Sequence, residues 1–578
     1  MANPVSASGP NGRTVPLWQR VWLDAYPCDV PSSLPYPNVP VSALLEMAAR
    51  RFPDRAACSL YGNRVSFSTL ADQARRLARS LADLGAGPGR RVGMLLPNIP
   101  EYLIALQATW LTGATALQLS PLMVADELAK WIEKTDCHIV VTLDLLAPNL
   151  KGILNHGPLE HVVVTSLAER IPSWRGWLYR VERLRRHGPL RLTEDSHFHR
   201  LEYLLRVAPR NLNPHLVPTE DVAVLAPTGG TTASPKAVML THRNLVANAM
   251  QLRAWSRGWD GTESVLGVLP FFHAYGLTVC ALASFVGAST IHLYPRFEIK
   301  PVLDLIERER INLVPAVPAM IAAFNRELQK QPRDLSFIRA VISGASAMDK
   351  TVRQRFESFG AQQIVEGYGL TEASPVTHVT PLDERDHTGT VGLPLPDTEA
   401  RIMDQATGLE ELPTGTVGEL VVRGPQVMKG YFQNPEETAR ALRGGWLYTG
   451  DLARRDGDGY FTIVDRKKDI IKTSGFLVFP AEVEEVLGTF PGVAEAAVIG
   501  VPDTERGEII QALVVPRKGS HIDVAALESH CQQYLGKQKR PKRIEIVAEL
   551  PKNFLGKVQR RRLRETLASS TENGKAKD

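Results

Sequence analysis

Between Pro227 and His242 the chain reads Pro-Thr-Gly-Gly-Thr-Thr-Ala-Ser-Pro-Lys-Ala-Val-Met-Leu-Thr-His. Two glycines, Gly229 and Gly230, and three hydroxyls, Thr228, Thr231 and Thr232, are followed closely by Lys236. Small residues let backbone N–H groups come close to a ligand, while hydroxyls and an ammonium donate to phosphate oxygens. The chemistry that fits is a cradle for a polyphosphate. It is not a Walker A loop, whose Gly-Lys-Ser/Thr ending is absent: Lys236 stands between Pro235 and Ala237. A glycine- and threonine-rich hairpin turn with no ligand accounts for the same residues, and the loop alone does not choose between the two.

Other stretches carry chemistry only in company. They are Tyr368-Gly-Leu-Thr-Glu372, Tyr448-Thr-Gly-Asp451, Asp465-Arg466, Lys472-Thr-Ser-Gly475 and Leu550-Pro-Lys-Asn-Phe-Leu-Gly-Lys557. An aspartate after glycine, as at Asp451, is ordinarily a turn residue. Tyr368 by itself reads as core, and His273 in Leu269-Pro-Phe-Phe-His273 as a structural histidine. Lys557 lies among Lys552, Arg560, Arg561 and Arg562, the pattern of a solvated basic face.

Elements must hold these residues in place. Asp221-Val-Ala-Val-Leu-Ala226 reads as a buried strand leading into the first loop. Upstream, Ser68 as N-cap and Gly85 as terminator predict a helix from about Thr69 to Leu84. Strands near 91–96, 114–119, 138–142 and 159–165 alternate with helices near 101–111 and 125–134, which argues for largely parallel sheets. Downstream, Thr241 caps a helix through Trp255. Strands are expected at 311–317 and 340–343, and Gly344-Ala-Ser-Ala347 as a tight turn. From about 390 to 465, short β segments with frequent Gly, Pro and Asp suggest a small β-barrel-like subdomain. After the charged joint Asp465-Arg-Lys-Lys-Asp469 comes an α+β segment with helices at 480–487 and 524–535 and strands at 494–501, 509–515 and 544–548. The expected class is α/β: a large N-terminal domain of stacked α/β sheets over 1–467, a small α+β domain over 468–568, and a polar tail, 569–578, that reads as disordered. The first thirty-odd residues, with Trp18, Trp22 and Tyr26, read as an irregular arm packed on the body.

Bulk properties narrow the class. At 578 residues more than one domain is expected. Hydrophobic residues at 44% and charged residues at 22% are ordinary for a globular protein, and a net charge of +5 gives no footprint for nucleic acid. Five cysteines without ligand spacing read as reduced packing residues in a cytoplasmic protein. The polar N-terminus lacks a signal-peptide core, and no apolar run is long enough to span a membrane. Within 172–187, Trp174, Trp177, Leu178, Val181 and Leu184 share one helical face, and five arginines fill the remainder. That composition suits a membrane-surface anchor, and equally a surface excursion packed on its own domain, which we favour.

Taken together and in this order, the loop at 228–236, Tyr368–Glu372, Tyr448–Asp451, Asp465–Gly475 and Leu550–Lys557 resemble the acyl-adenylate-forming superfamily. The resemblance runs from about residue 40 to 565. The Leu-Pro-Phe-Phe-His run and the Gly-Gly-Thr-Thr form of the loop are most similar to bacterial long- and medium-chain fatty-acid–CoA ligases. It implies ATP, Mg²⁺ and CoA as partners. Thr228, Gly229, Gly230, Thr231, Thr232 and Lys236 would hold pyrophosphate, and Glu372 with Thr231 the magnesium. Tyr368, Gly344 and Ala345 would line the adenine, Gly369 and Thr371 would contact the nucleotide, and Asp451 and Arg466 would hold the ribose. Lys557 would be the catalytic lysine bridging carboxylate and α-phosphate, and His273 a candidate base near the thiol entry. Lys468 falls at the family's hinge, about which a mobile C-terminal domain would withdraw Lys557 and bring up the Lys472–Gly475 face, Gly475 leaving a tunnel for pantetheine. The acyl pocket is expected along 271–277, 314–320 and 371–375.

One departure stands out. Where the family has Thr-Gly-Xaa-Pro-Lys-Gly, this chain has Thr232-Ala-Ser-Pro-Lys-Ala237. If Ala233 or Ala237 needs φ > 0, the cost is about 1 kcal/mol or more. The leading expectation is an ATP-dependent acid–thiol ligase acting on a fatty acid. The alternatives are loading of a carrier protein, aryl or dicarboxylic acid substrates, and a silent lipid-binding scaffold. A homodimer and a peripheral membrane contact through 172–187 stay open.

Overall fold

Thr241 stops one strand and starts one helix. Its hydroxyl accepts from the Asn244 N–H at 3.2 Å, and the Asn244 side chain accepts from the Thr241 N–H at 2.9 Å. This reciprocal cap opens the helix His242–Ser256, as the sequence predicts. The earlier helix differs in detail. It spans Phe67–Asp83, and its cap is Ser66 rather than Ser68: the Ser66 hydroxyl accepts from the Thr69 N–H at 3.1 Å. Phe67 is fully buried and so belongs to the helix, which moves the start back by two residues.

The computed structural model describes residues 7–8, 14–15, 20–154, 157–169, 185, 197–228, 236–383, 387–474, 476–503, 506–552 and 556–566. The segment 172–187 (residue 185 apart), Trp18 and the tail from 567 lie outside the described residues.

Two large sheets form the body. The first has eight strands. Thr115–Gln118, Arg91–Leu95, Ile139–Leu143, His161–Thr165 and Phe198–Arg200 are parallel to their neighbours, and Val222–Thr228 extends the parallel set. Lys236–Thr241 and Gly430–Tyr431 complete it antiparallel at the edge. The second sheet has nine strands. Its parallel centre runs from Ile364–Gly369 through Ala340–Ser343, Leu313–Ala316 and Ser264–Gly267 to Thr290–Leu293 and Ala56–Leu60. Helix Pro100–Thr112 is buried at every residue except Leu111, as its unbroken apolar character requires.

The β-rich segment is a five-stranded antiparallel sheet in which Trp446–Arg455 pairs with Gly418–Arg423, Leu442–Arg443 and Phe461–Arg466. Past a turn of 3₁₀ helix at Lys467–Asp469, a second five-stranded sheet begins at Ile471–Thr473. It carries its own apolar core around Ile471, Val483, Leu487, Val498, Ile510 and Leu527. At the other end of the chain, Trp22 packs edge-on to Phe461 and Tyr26 edge-on to Trp255, so the described part of the arm lies on the body. No described helix is long and apolar enough to cross a membrane.

Candidate active site

The hairpin Val222–Thr228/Lys236–Thr241 brings Thr228 opposite Lys236, and the Thr228 hydroxyl donates to the Lys236 carbonyl at 3.3 Å. Gly229, Gly230, Thr231, Thr232 and Ala233 lie outside the described residues. Lys236 points to a second segment: its ammonium pairs with Glu437 and stands 5.1 Å above the Tyr431 ring. The Tyr431 hydroxyl donates to Glu372 Oε1 at 2.9 Å, and the Glu372 carbonyl accepts from the Met428 N–H at 2.8 Å. The lysine expected at the phosphates and the carboxylate expected at the metal are thus joined through one tyrosine.

Ala237 is corrected by its setting. It sits inside the strand opposite Pro227, fully buried against Leu225, and is not among the residues with positive φ. The feared backbone cost does not arise there. Near the candidate site the alanine in the left-handed region is Ala345, at φ +75°, in the turn after strand Ala340–Ser343. Strain of this kind collects at ligand-binding turns. Its neighbour Gly344 is glycine for want of room: a Cβ there would lie 3.1 Å from the Tyr275 ring, whose hydroxyl is fixed on the Ile342 carbonyl at 2.8 Å.

Tyr368 ends the neighbouring strand. Its hydroxyl donates to Asp451 Oδ2 at 2.7 Å, while Arg466 Nε approaches Asp451 Oδ1 at 3.4 Å. Asp451 and Arg466 are register partners on adjacent antiparallel strands, so backbone pairing sets their approach. Burial, reinforced by the Asp451 charge, pushes the Tyr368 phenol far above its ordinary range, so it remains a donor. The Asp451 N–H donates to the Thr449 hydroxyl at 3.1 Å.

Lys557 belongs to the small domain yet senses this cluster. Burial, then the charges of Arg466, Lys468 and Arg560, lower its pKa to about 8, with Asp451 opposing. Lys468 is depressed in the same way, by burial first and then by Arg466. Gly556, at φ +78°, carries the lysine past the N-terminus of helix Pro318–Lys330, where a Cβ would come within 3.2 Å of Ala319. Arg560 locks the following turn by a two-pronged bond to Glu484 at 2.8 Å, and Arg564 reaches buried Asp469 at 3.3 Å. Lys472, by contrast, is exposed, with its N–H on Glu508 at 2.7 Å, and Gly475 lies outside the described residues.

A small apolar cavity of about 100 Å³ opens within the N-terminal body. Gly344, Ala345, Tyr368, Gly369 and Thr371 line it, as do His273 and Tyr275. Of the three expected lining segments, the first and third contribute. The second does not: strand Leu313–Ala316 offers only Leu313, and the far wall comes from Leu252, Trp255 and Ser256 on helix His242–Ser256 with Val379 and Leu382. Burial lowers the His273 ring to about 4, so it is neutral at neutral pH, and its Nδ1 accepts from the Tyr275 N–H at 3.3 Å.

The donor set suits magnesium. Among the described residues no three His, Cys, Asp or Glu side chains gather to hold a metal. A single carboxylate, Glu372, fits a hard cation that keeps water and phosphate oxygens as its other ligands.

Tyr431, Glu437 and the walls of helix His242–Ser256 escaped the sequence reading. The first two follow an unremarkable Lys429-Gly-Tyr431 and Asn434-Pro-Glu-Glu437; the third looks like any core helix.

The model of the family described as AMP-binding enzyme matches residues 45–432, and that of the AMP-binding enzyme C-terminal domain matches 482–557. A long-chain-fatty-acid–CoA ligase of Bacillus subtilis (strain 168) is 38% identical over 558 residues, covering 96% of this chain and 99% of its own. One of Escherichia coli O6:H1 is 33% identical over 570 residues, covering 96% and 100%. Among solved structures, ATP-bound MatB from Rhodopseudomonas palustris superimposes with a TM-score of 0.79 at 29% identity, over 91% of this chain and 99% of that one.

Proposed function

We propose, for a chain that belongs to the AMP-binding enzyme family, an ATP-dependent acyl-CoA ligase whose substrate is a long- or medium-chain fatty acid. It makes acyl-CoA, AMP and pyrophosphate in two steps. In the first, a carboxylate oxygen attacks the α-phosphorus of ATP; the new P–O bond forms as the bond to the bridging oxygen breaks, and pyrophosphate leaves with the electron pair. In the second, the CoA sulfur attacks the acyl carbon, a C–S bond replaces the C–O bond, AMP leaves, and the thiol proton passes to solvent.

The observation that carries this reading is the cluster of Tyr368, Asp451, Arg466 and Lys557, in which Tyr368 also lines an apolar cavity. Tyr368 and the Gly344–Ala345 turn take the adenine, and Asp451 and Arg466 the ribose hydroxyls. Thr228, Lys236 and the residues between them take the leaving pyrophosphate. Glu372, with Thr231, would hold magnesium, which when bound offsets phosphate charge. Lys557 offsets the repulsion between the entering carboxylate and the α-phosphate, in a site where such electrostatic positioning does most of the catalysis. His273, a poor base at a pKa of about 4, serves as a neutral wall beside the carboxylate.

The cavity walls, among them Leu252, Trp255, Val279 and Leu382, suit an alkyl chain, to which each buried methylene adds about 0.8 kcal/mol. We place the hinge at Lys468, between two sheets with separate cores. Four buried cysteines that form no disulfide support a reducing, cytoplasmic setting. The test is pyrophosphate release across acids of graded length: AMP as co-product with a preference for long chains is expected, and ADP formation would overturn the reading.

A further inference from the structure

The strand Gly430–Tyr431 and the short helix Pro435–Ala441 stand outside the motifs of the nucleotide site, yet they grip its phosphate lysine. Lys236 pairs with Glu437 Oε2, and their side chains are only 15% and 24% exposed. The other Glu437 oxygen accepts from Arg440 Nη1 at 2.6 Å. The helix is held still at both ends of this contact. Asn434 Oδ1 accepts from the Glu437 N–H at 3.1 Å, and the Thr438 hydroxyl accepts from the Tyr431 N–H at 2.9 Å. Tyr431 in turn is paired with Val238, two residues beyond the lysine. The carboxylate therefore does not follow the lysine by chance: backbone and caps hold it there.

We propose that Glu437 is the resident counter-anion of the phosphate loop. It holds Lys236 in place before nucleotide arrives, yields it to the pyrophosphate half of ATP, and reclaims it as pyrophosphate leaves. Glu437 is thus a positioning residue acting through Lys236, and the proposal rests on the reading that Lys236 binds pyrophosphate. The physical argument is competition. A flexible ammonium is fixed in one direction ahead of binding, which spares ordering later. The same carboxylate repels a polyphosphate and offers the lysine an alternative partner, so it weakens the grip on the leaving group and hastens release. Arg440 draws on the same carboxylate and tempers that competition.

The test is product inhibition by pyrophosphate in the full-length enzyme. Glu437→Gln keeps shape and acceptor but drops the charge. Its inhibition constant for pyrophosphate is expected to fall about three- to tenfold, the scale of one charge-assisted hydrogen bond partly replaced, with a smaller fall in KM for ATP. Glu437→Asp should restore the constant toward the native value. Arg440→Gln should move it the other way, by up to about twofold, as expected of an exposed partner. A role in merely holding the helix would lower the melting temperature without tightening pyrophosphate. An unchanged or raised constant in Glu437→Gln overturns the proposal. Lys236→Gln separates the two levels: if it leaves pyrophosphate inhibition untouched, the phosphate-loop reading itself fails. If it weakens inhibition while Glu437→Gln does not strengthen it, only the exchange fails.

Discussion

Lys236 and Lys557, which the proposed function gives to one reaction, are kept by the molecule in opposite company. Lys236 lies within one domain, on a strand whose neighbours are fixed by pairing, with a carboxylate and an aromatic face as partners. Lys557 arrives from the second domain into a group of cations, Arg466, Lys468 and Arg560, with Asp451 as counterweight. The first can wait indefinitely for a ligand. Burial and these cations disfavour the charged form of the second. A polyphosphate relieves that crowding, and departure of pyrophosphate restores part of it. On the proposed reading, the substrate of the first step would favour this domain arrangement and loss of pyrophosphate would disfavour it, which would give a rotation about Lys468 its direction.

The largest expected effect breaks the pair outright. Lys557→Ala should lower the adenylation rate by about 10²- to 10³-fold, the usual loss on removing one preorganised donor to a transition state. CoA should still discharge pre-formed acyl-adenylate, and thermal stability should hold or rise, because a crowded charge has gone. Pyrophosphate-release and thioester assays run side by side check this; equal loss in both steps would count against a first-step lysine. Next in size, Asp451→Asn removes the charge shared by Tyr368 and Arg466. KM for ATP should rise about 10- to 100-fold, the scale of a hydrogen bond to a charged group, with a smaller change in kcat.

The smallest effect is the most diagnostic of the crowding. The lysine pKa is depressed, so the charged form is disfavoured in this arrangement. Activity that needs the ammonium is present below a pH of about 8 and is lost as pH rises through it. For the free enzyme, kcat/KM of adenylation should fall on the alkaline side near that value. Lys468→Gln thins the cationic neighbours and should move the alkaline limb upward by a few tenths of a unit. No movement, or a downward one, would mean the neighbours do not set the lysine's proton affinity.

Much of this was legible in the residues, for reasons that can be named. Alternating strands and helices announced the parallel sheets, and the Thr241 cap was readable because a cap is a local contract between residues three apart. The positions of Tyr368, Asp451, Arg466 and Lys557 came from motifs in order, and the fold brings these four together. The failures share a cause. Ser66 outranked Ser68 because burial of Phe67, a tertiary fact, decided where the helix begins. Ala237 caused no strain because a strand continues through it, whereas in the expected tight turn at 344–347 it is Ala345, and not Gly344, that takes the left-handed backbone. Glu437 and Tyr431 act across about 200 residues of chain on Lys236, and the acyl walls Leu252 and Trp255 sit on a helix whose pattern serves the core equally well. Local chemistry was readable, and contacts made by the sheet order were not.

The fit of Gly556 against Ala319 bears on how the two domains tell time. A clearance of 3.2 Å to a missing methyl group makes this contact a gauge of closure as well as a turn. A methyl group at 556 would press on Ala319, so the residue that aims the lysine also measures how closely the two parts seat. Bulk at 556 or at 319 would act as a doorstop, leaving each domain folded and each charge in place while shifting the share of time spent shut.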